Sequence, residues 1–348
     1  MPPKFRYPAK PAKGDRVAVL SPSGRSATHF PAPLDLGLAR LRDEFGLVPV
    51  EYPTTRAAQA SPAQRAADIH SAFADPDVRA VITTIGGDDE IKVLAQLDAD
   101  LIASNPKPFF GYSDNVNLHL FLWNLGIVSY HGGAVMVQFG RPGRIHPVTR
   151  QSLESALFGT GPQSLEPATE YTDQEGDWAD QASLAAEPAM SRSRGWSWHG
   201  RAASVTGPAW GGCLEIIDFH LRAGRYLLSD DNYDGAVLCL ETSEELPSAD
   251  YVYRVLMCMG ERRLLQRFAA LVWARPKAWS FEHPNDELAK LAYVTAQRDA
   301  VLAAMAEYHP DVPVVFGIDF GHTDPQVVIP LGGDVTVDGT AQQIRVTY

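Results

Sequence analysis

The segment Phe109-Phe-Gly-Tyr-Ser-Asp-Asn115 carries an apolar run that ends on a serine just before a helical pattern. A serine in a tight strand-to-helix turn projects its hydroxyl out of the sheet, and the next backbone N–H, that of Asp114, points to where an oxyanion would form. Gly111 keeps the approach uncrowded, whereas Asn115 stands at the second glycine position of the G-x-S-x-G pattern. Ser113 therefore reads either as a nucleophile or as the N-cap of the following helix. A serine hydroxyl attacks at neutral pH only with a general base and a carboxylate to orient it. Glu241 ends the apolar run Ala236-Val-Leu-Cys-Leu240, and His322 lies between Gly317, Gly321 and Pro325 in a turn-rich loop, so both stand out as partners. His131 before Gly132-Gly133 and His283 before Pro284 lack an evident carboxylate companion, and His119 sits mid-helix. His322, Asp319 and Asp324 could hold a metal, but no HExxH or paired-histidine spacing supports it, so none is expected. Gly86-Gly87-Asp-Asp-Glu90 lacks both G-x-G-x-x-G and the P-loop lysine, and reads as a strand-end turn offering backbone N–H groups.

Elements that would position these residues alternate. Arg16–Leu20 reads as a strand, 33–45 as a helix, and 47–52 as a strand. Ser61 caps a helix to about Phe73, and 79–85 is an apolar strand. Residues 109–112 run into a helix over 114–124, followed by a strand at 127–130. This is a doubly wound, mostly parallel α/β pattern. A second set follows Ala202: a helix from Gly212 to Leu221, a strand over 235–240, a helix over 248–261 and a strand over 271–274. A helix over 286–308, a strand over 312–317 and β runs at 326–331, 334–337 and 342–347 complete it. Asp338-Gly339 marks a hairpin, so the last runs are antiparallel. The expected organisation is an N-terminal α/β domain over 1–165, a linker and loop over 166–201, and a smaller C-terminal α/β domain over 202–348. The site would lie in the cleft between the domains. The linker region carries Trp178, Trp196 and Trp198 without sustained periodicity, and long loops of that kind are commonly lids or binding segments.

Composition bounds the partners. With 348 residues, 45% hydrophobic and 21% charged, the chain can bury a sizeable core. Its formal charge of −12 disfavours nucleic acid and anionic membrane surfaces, leaving a small-molecule substrate. Three cysteines without CxxC spacing suit a reducing compartment, and the first fifteen residues contain no signal-peptide core, so a cytoplasmic location is expected.

Three segments in order, Phe110-Gly-Tyr-Ser-Asp114, Ala236-Val-Leu-Cys-Leu-Glu241 and Asp319-Phe-Gly-His-Thr-Asp-Pro325 with Ile329-Pro-Leu-Gly332, resemble the serine peptidase family of LD-carboxypeptidases and microcin C self-immunity peptidases. The resemblance spans nearly the whole chain, including Ser21-Pro-Ser-Gly24 and the Gly86-Gly87 turn. It implies a triad of Ser113 as nucleophile, His322 as general base and Glu241 as orienting carboxylate. It also implies an oxyanion hole at the backbone N–H groups of Gly87 and Asp114, no cofactor, and a homodimer. Two branches compete: removal of D-alanine from murein tetrapeptides, and cleavage of aminoacyl or peptidyl nucleotide conjugates. The Trp-bearing loop resembles the second branch, in which an aromatic stacks on the nucleobase, making Trp178, Trp196 and Trp198 the candidates for substrate contact. An unrelated α/β-hydrolase esterase, or a two-domain ligand-binding protein with a similar cleft, are the other readings.

Overall fold

The computed structural model describes residues 3–348. In chain order the strands are β1 (Arg16–Leu20), β2 (Val48–Glu51), β3 (Val78–Thr83), β4 (Phe109–Gly111), β5 (Ser129–His131) and β6 (Pro162–Leu165). Next come β7 (Glu170–Tyr171), β8 (Ser191–Arg192), β9 (Ser197–Gly200), β10 (Ser204–Cys213), β11 (Val237–Glu241) and β12 (Ala270–Ala274). The last four are β13 (Pro313–Ile318), β14 (Ile329–Leu331), β15 (Asp334–Asp338) and β16 (Gln343–Thr347).

One continuous sheet runs β2-β1-β3-β4-β5-β14-β10-β11-β12-β13-β9. Its two blocks, β2 to β5 and β10 to β13, are parallel within themselves, as crossover helices require. β14 lies between them, antiparallel to β5 and parallel to β10. The Val- and Leu-rich strands β11 and β12 are buried at every position, the pattern of a sheet covered on both faces. One hydrophobic cluster contains Val17, Ala80, Val237 and Val315 together, so segments 1–165 and 202–348 share a core as well as a sheet. β6, from the first segment, pairs with β16 at the other end of the chain.

Helix starts follow the capping residues. Ser61 closes a capping box with Gln64, and Ser248 and Asp286 cap the helices Ala249–Glu261 and Glu287–Tyr308. The hairpin expected at 338–339 joins β15 to β16.

Two expectations are corrected. Segment 166–201 is not a structureless linker: β7 and β8 form a small hairpin, and β9 covers the sheet edge at β13. These strands of two to four residues are too short to set up a visible period, and tertiary pairing decides them. The helix expected from Gly212 begins at Leu214, because Gly211 and Gly212 belong to the end of β10. Their φ values of 133° and 122° are reserved for glycine, and they let β10 press close to β11 and to the helix after Ser113. A Cβ on Gly211 would lie 2.1 Å from the Cys239 carbonyl oxygen, and one on Gly212 would lie 2.4 Å from Val116 Cγ2.

Gly211→Ala is therefore expected to lower the unfolding free energy by about 2 kcal/mol or more, through backbone strain and a wedge between central strands. Chemical denaturation of the variant against the parent protein checks this.

Candidate active site

Ser113 occupies the turn between β4 and the helix Val116–Asn124, and its φ is 62°, a left-handed conformation rare for a residue with a side chain. The backbone stores strain there, on the order of 1 kcal/mol, and presents the hydroxyl outward. Close packing holds the turn in place. A Cβ on Gly86 would sit 2.7 Å from Ser113 Oγ and 3.3 Å from the Asp114 nitrogen, so the strand-end turn after β3 lies directly over the serine. Gly111 is equally constrained, with Thr83 Oγ1 2.7 Å from where its Cβ would be.

Asn115, where a nucleophile elbow carries glycine, is fully buried and works as a tie. Its amide nitrogen donates to the carbonyls of Ile85 at 3.1 Å and Tyr112 at 3.0 Å, while its oxygen faces Ser23 Oγ at 3.1 Å. The same Ser23 hydroxyl lies 2.7 Å from Glu90 Oε2. One hydroxyl hydrogen serves only one acceptor at a time, and a protonated Glu90 satisfies both contacts. Burial and the nearby Asp114 carboxylate both push Glu90 well above the usual carboxylate range. Asp114 is itself buried and raised to about 6 by that burial; its side chain accepts from the Glu90 N–H at 2.9 Å and from Asn117 at 2.7 Å. Sequence reading passed over this bracket of Ser23, Glu90, Asp114 and Asn115 behind the serine. The only signal for it was three acids crowded after Gly87.

His322 and Glu241 meet across the sheet's second block. Glu241 closes β11 with no exposure, and its Oε2 lies 2.6 Å from His322 Nδ1. Gly321 makes this possible: at φ 85° it lets the 319–326 loop press onto the acid, where a Cβ would come within 2.7 Å of Glu241 Cβ. The loop is anchored from below by Asp319, which accepts from Arg275 at 2.6 Å, the Ala168 N–H at 3.0 Å and Trp196 Nε1 at 3.2 Å. Asp324 accepts from Arg141 at 2.7 Å. Both aspartates weighed as metal ligands are thus committed to arginines. Tyr112 packs edge-on against the His322 ring, with centroids 5.0 Å apart.

Two further groups complete the electrostatics. Glu244 Oε2 lies 3.1 Å from His322 Nε2, so the imidazole is held between two carboxylates. Burial opposes its charge, but Glu241 and Glu244 outweigh burial and raise its pKa well above the ordinary value. Burial likewise works against the Glu241 anion, yet His322 and His131 hold its carboxyl low, at about 2. His131 Nε2 is 3.7 Å from Glu241 Oε1, so this histidine does have a carboxylate companion, contributed by a strand 110 positions away (241 minus 131) and invisible locally. His119 is a core residue, bonded to Ser129 at 2.7 Å and to the Gly111 carbonyl at 2.9 Å.

Ser113, His322, Gly86, Gly87 and Trp178 all line one cavity of about 350 Å³. Trp178 is half-buried there, edge-on to Phe30 at 5.8 Å. Trp196 and Trp198 are elsewhere: the first anchors Asp319, and the second lies in β9 opposite Val315. Neither borders the cavity: strand pairing with β13 holds Trp198 against the core, and the hydrogen bond to Asp319 holds Trp196 there.

Comparison with known proteins follows this geometry. The LD-carboxypeptidase N-terminal domain family matches residues 17–132 and the LD-carboxypeptidase C-terminal domain family matches residues 206–337. A putative carboxypeptidase of Vibrio cholerae is 25% identical, over 93% of this chain and 92% of its own. The microcin C7 self-immunity protein MccF of Escherichia coli is 23% identical, over 82% of this chain and 78% of its own. A solved structure of MccF in complex with aspartyl sulfamoyl adenosine superposes with a TM-score of 0.82 at 21% identity, covering 98% of each chain, a likeness of fold.

Replacing Glu244 by Gln removes one of the two anions stabilising the imidazolium, so His322 is expected to lose its proton at lower pH than in the parent protein. An NMR titration of the imidazole resonances measures this; an unmoved or raised midpoint contradicts the electrostatic account.

Proposed function

The chain belongs to the LD-carboxypeptidase family, and from that premise we propose that it is a serine peptidase that hydrolyses amide-type bonds in small aminoacyl or peptidyl nucleotide conjugates. The observation that carries the chemistry is the 2.6 Å contact between Glu241 and His322 Nδ1, facing the cavity that also receives Ser113 at positive φ. In the cycle, His322 Nε2 takes the Ser113 proton as Oγ attacks the carbonyl carbon. The oxyanion falls to the N–H groups of Gly87 and Asp114, and the imidazolium then protonates the leaving group. Glu241 fixes the tautomer and offsets the imidazolium charge. Water, deprotonated by the same histidine, releases the acyl group from Ser113.

Trp178 supports a nucleotide-bearing leaving group. Its indole lines the same cavity as Ser113 and is only half-buried, with Phe30 set edge-on to it, which leaves ring surface for a flat group. Stacking of an aromatic on a base contributes roughly 1 to 3 kcal/mol. MccF, which shares the fold, has been solved with an aminoacyl sulfamoyl nucleoside.

The test is mass-spectrometric product analysis after incubation with a mixture of aspartyl sulfamoyl adenosine and a murein L,D-tetrapeptide. Cleavage of the conjugate, abolished in Ser113→Ala, is the expected result. Loss of D-alanine from the tetrapeptide alone would assign cell-wall recycling instead, and full activity in Ser113→Ala would remove the triad. Trp178→Ala is expected to raise KM for the conjugate by about tenfold while changing kcat little, as steady-state kinetics would register.

A further inference from the structure

Of the carboxylates lining the cavity, Asp173, Glu175 and Asp324 are paired with Lys290, Lys277 and Arg141, whereas Glu244 contacts His322 and has no role in the proposed cycle. It follows Glu241 by three residues in the loop leaving β11, its side chain is 53% exposed, and its Oε2 contacts His322 Nε2 at 3.1 Å. That nitrogen has to accept the Ser113 proton, so a productive complex takes this partner away from Glu244. The cations bordering the cavity are already committed: Arg141 to Asp324 and Glu187, at 2.7 and 2.8 Å, and Lys277 to Glu175 at 2.7 Å and the Asp173 carbonyl at 2.9 Å. A carboxylate turned out of an ion pair in a half-enclosed cleft recovers its stabilisation from a cation brought by the ligand.

Position says which cation. Glu244 and Gly87 both border the cavity holding Ser113 and also a second, polar cavity of about 600 Å³, lined by Ser23, Arg25, His29, Thr54 and Arg65 among others. The attacked carbonyl, directed at Gly87, therefore lies at the junction where Glu244 stands. In an amino acid the amino nitrogen is two bonds, about 2.5 Å, from the carbonyl carbon. An ammonium on the neighbouring carbon is within reach of Glu244 while the carbonyl faces the oxyanion donors.

We propose that Glu244 is a specificity-determining residue that binds the free, protonated α-amino group of the residue whose carbonyl is attacked. The inference rests on the serine peptidase reading above and narrows its substrate class to conjugates of an unacylated amino acid. A murein tetrapeptide, whose attacked residue carries an acylated α-nitrogen, fits this requirement poorly. Binding of the ammonium also takes Glu244 from Nε2 and removes one of the two anions favouring the imidazolium, so the ring releases its Nε2 proton to solvent and can then accept the proton of Ser113.

The experiment compares kcat/KM for aspartyl sulfamoyl adenosine and its N-acetyl derivative in the full-length parent protein, Glu244→Gln and Glu244→Lys. The parent is expected to prefer the free amine by roughly tenfold or more. Glu244→Gln should erase the preference, the ratio of the two kcat/KM values falling to about one on top of any change in His322 that both compounds share, and Glu244→Lys should prefer the acetylated compound. Equal use of both by the parent overturns the proposal and leaves the peptidase reading intact. An equal loss on both in Glu244→Gln marks a residue that merely positions His322, and an equal gain marks a simple block; either overturns it. Cleavage of neither compound by the parent overturns both readings.

Discussion

A buried carboxylate against an imidazole, Glu241 to His322 at 2.6 Å, is the interaction around which the molecule is arranged. Glu241 has no exposure, and an isolated anion in that position would be prohibitively costly. Everything near it reduces that cost. The 319–326 loop carries the imidazole to it, Gly321 leaves room for the approach, and His131 faces the second oxygen at 3.7 Å. The loop's own base is fixed by Asp319 and Arg275, so the histidine is positioned by a second ion pair one layer below. Removing one member of such a pair leaves the other charged and unmatched, which makes the constellation rigid as well as reactive.

The serine side is organised on a different principle. Close approach of backbones does much of the work there, at Gly86 above Ser113 and at Gly111 beside Asn115. Two buried acids, Glu90 and Asp114, lock the turn after β3 to the turn after β4, and both are pushed toward their neutral forms. A neutral acid donates as well as accepts, which suits a bracket made of hydroxyl, amide and backbone groups. The proposed nucleophile, Ser113, is thus held largely by hydrogen bonds and shape, whereas the proposed base, His322, is held by charge.

The fold class and the residues of the proposed site were legible in the sequence because the candidate residues sit at strand ends. Ser113, Glu241 and His322 each terminate or follow an apolar run, and an apolar run bounded by glycines is a strong local signal. Capped helices such as Ala249–Glu261 were equally plain. What was hidden depends on partners far along the chain. His131 looks solitary until β5 is brought beside Glu241, and the glycines at 211 and 212 read as a helix start until β11 is beside them. Segment 166–201 has too few residues per strand for a period, so the fate of Trp178, Trp196 and Trp198 was set by pairing with β13 and contacts with Phe30, neither of which is local. The helix Pro147–Phe158, whose apolar residues are sparse, went unread for a similar reason.

The place of β14 in the sheet has a consequence for how the molecule is made. Ile329–Leu331 is the strand that joins β5 to β10, so the block carrying Ser113 and the block carrying Glu241 are bridged by residues that follow both in the sequence. During synthesis the block carrying Ser113 leaves the ribosome before Glu241 and His322 have been made. The proposed site is complete only when Ile329–Leu331 has inserted between the two blocks, with His322 a few residues ahead of it. On the proposed mechanism, a chain made only as far as Gly317 carries the Ser113 hydroxyl without the imidazole that would activate it.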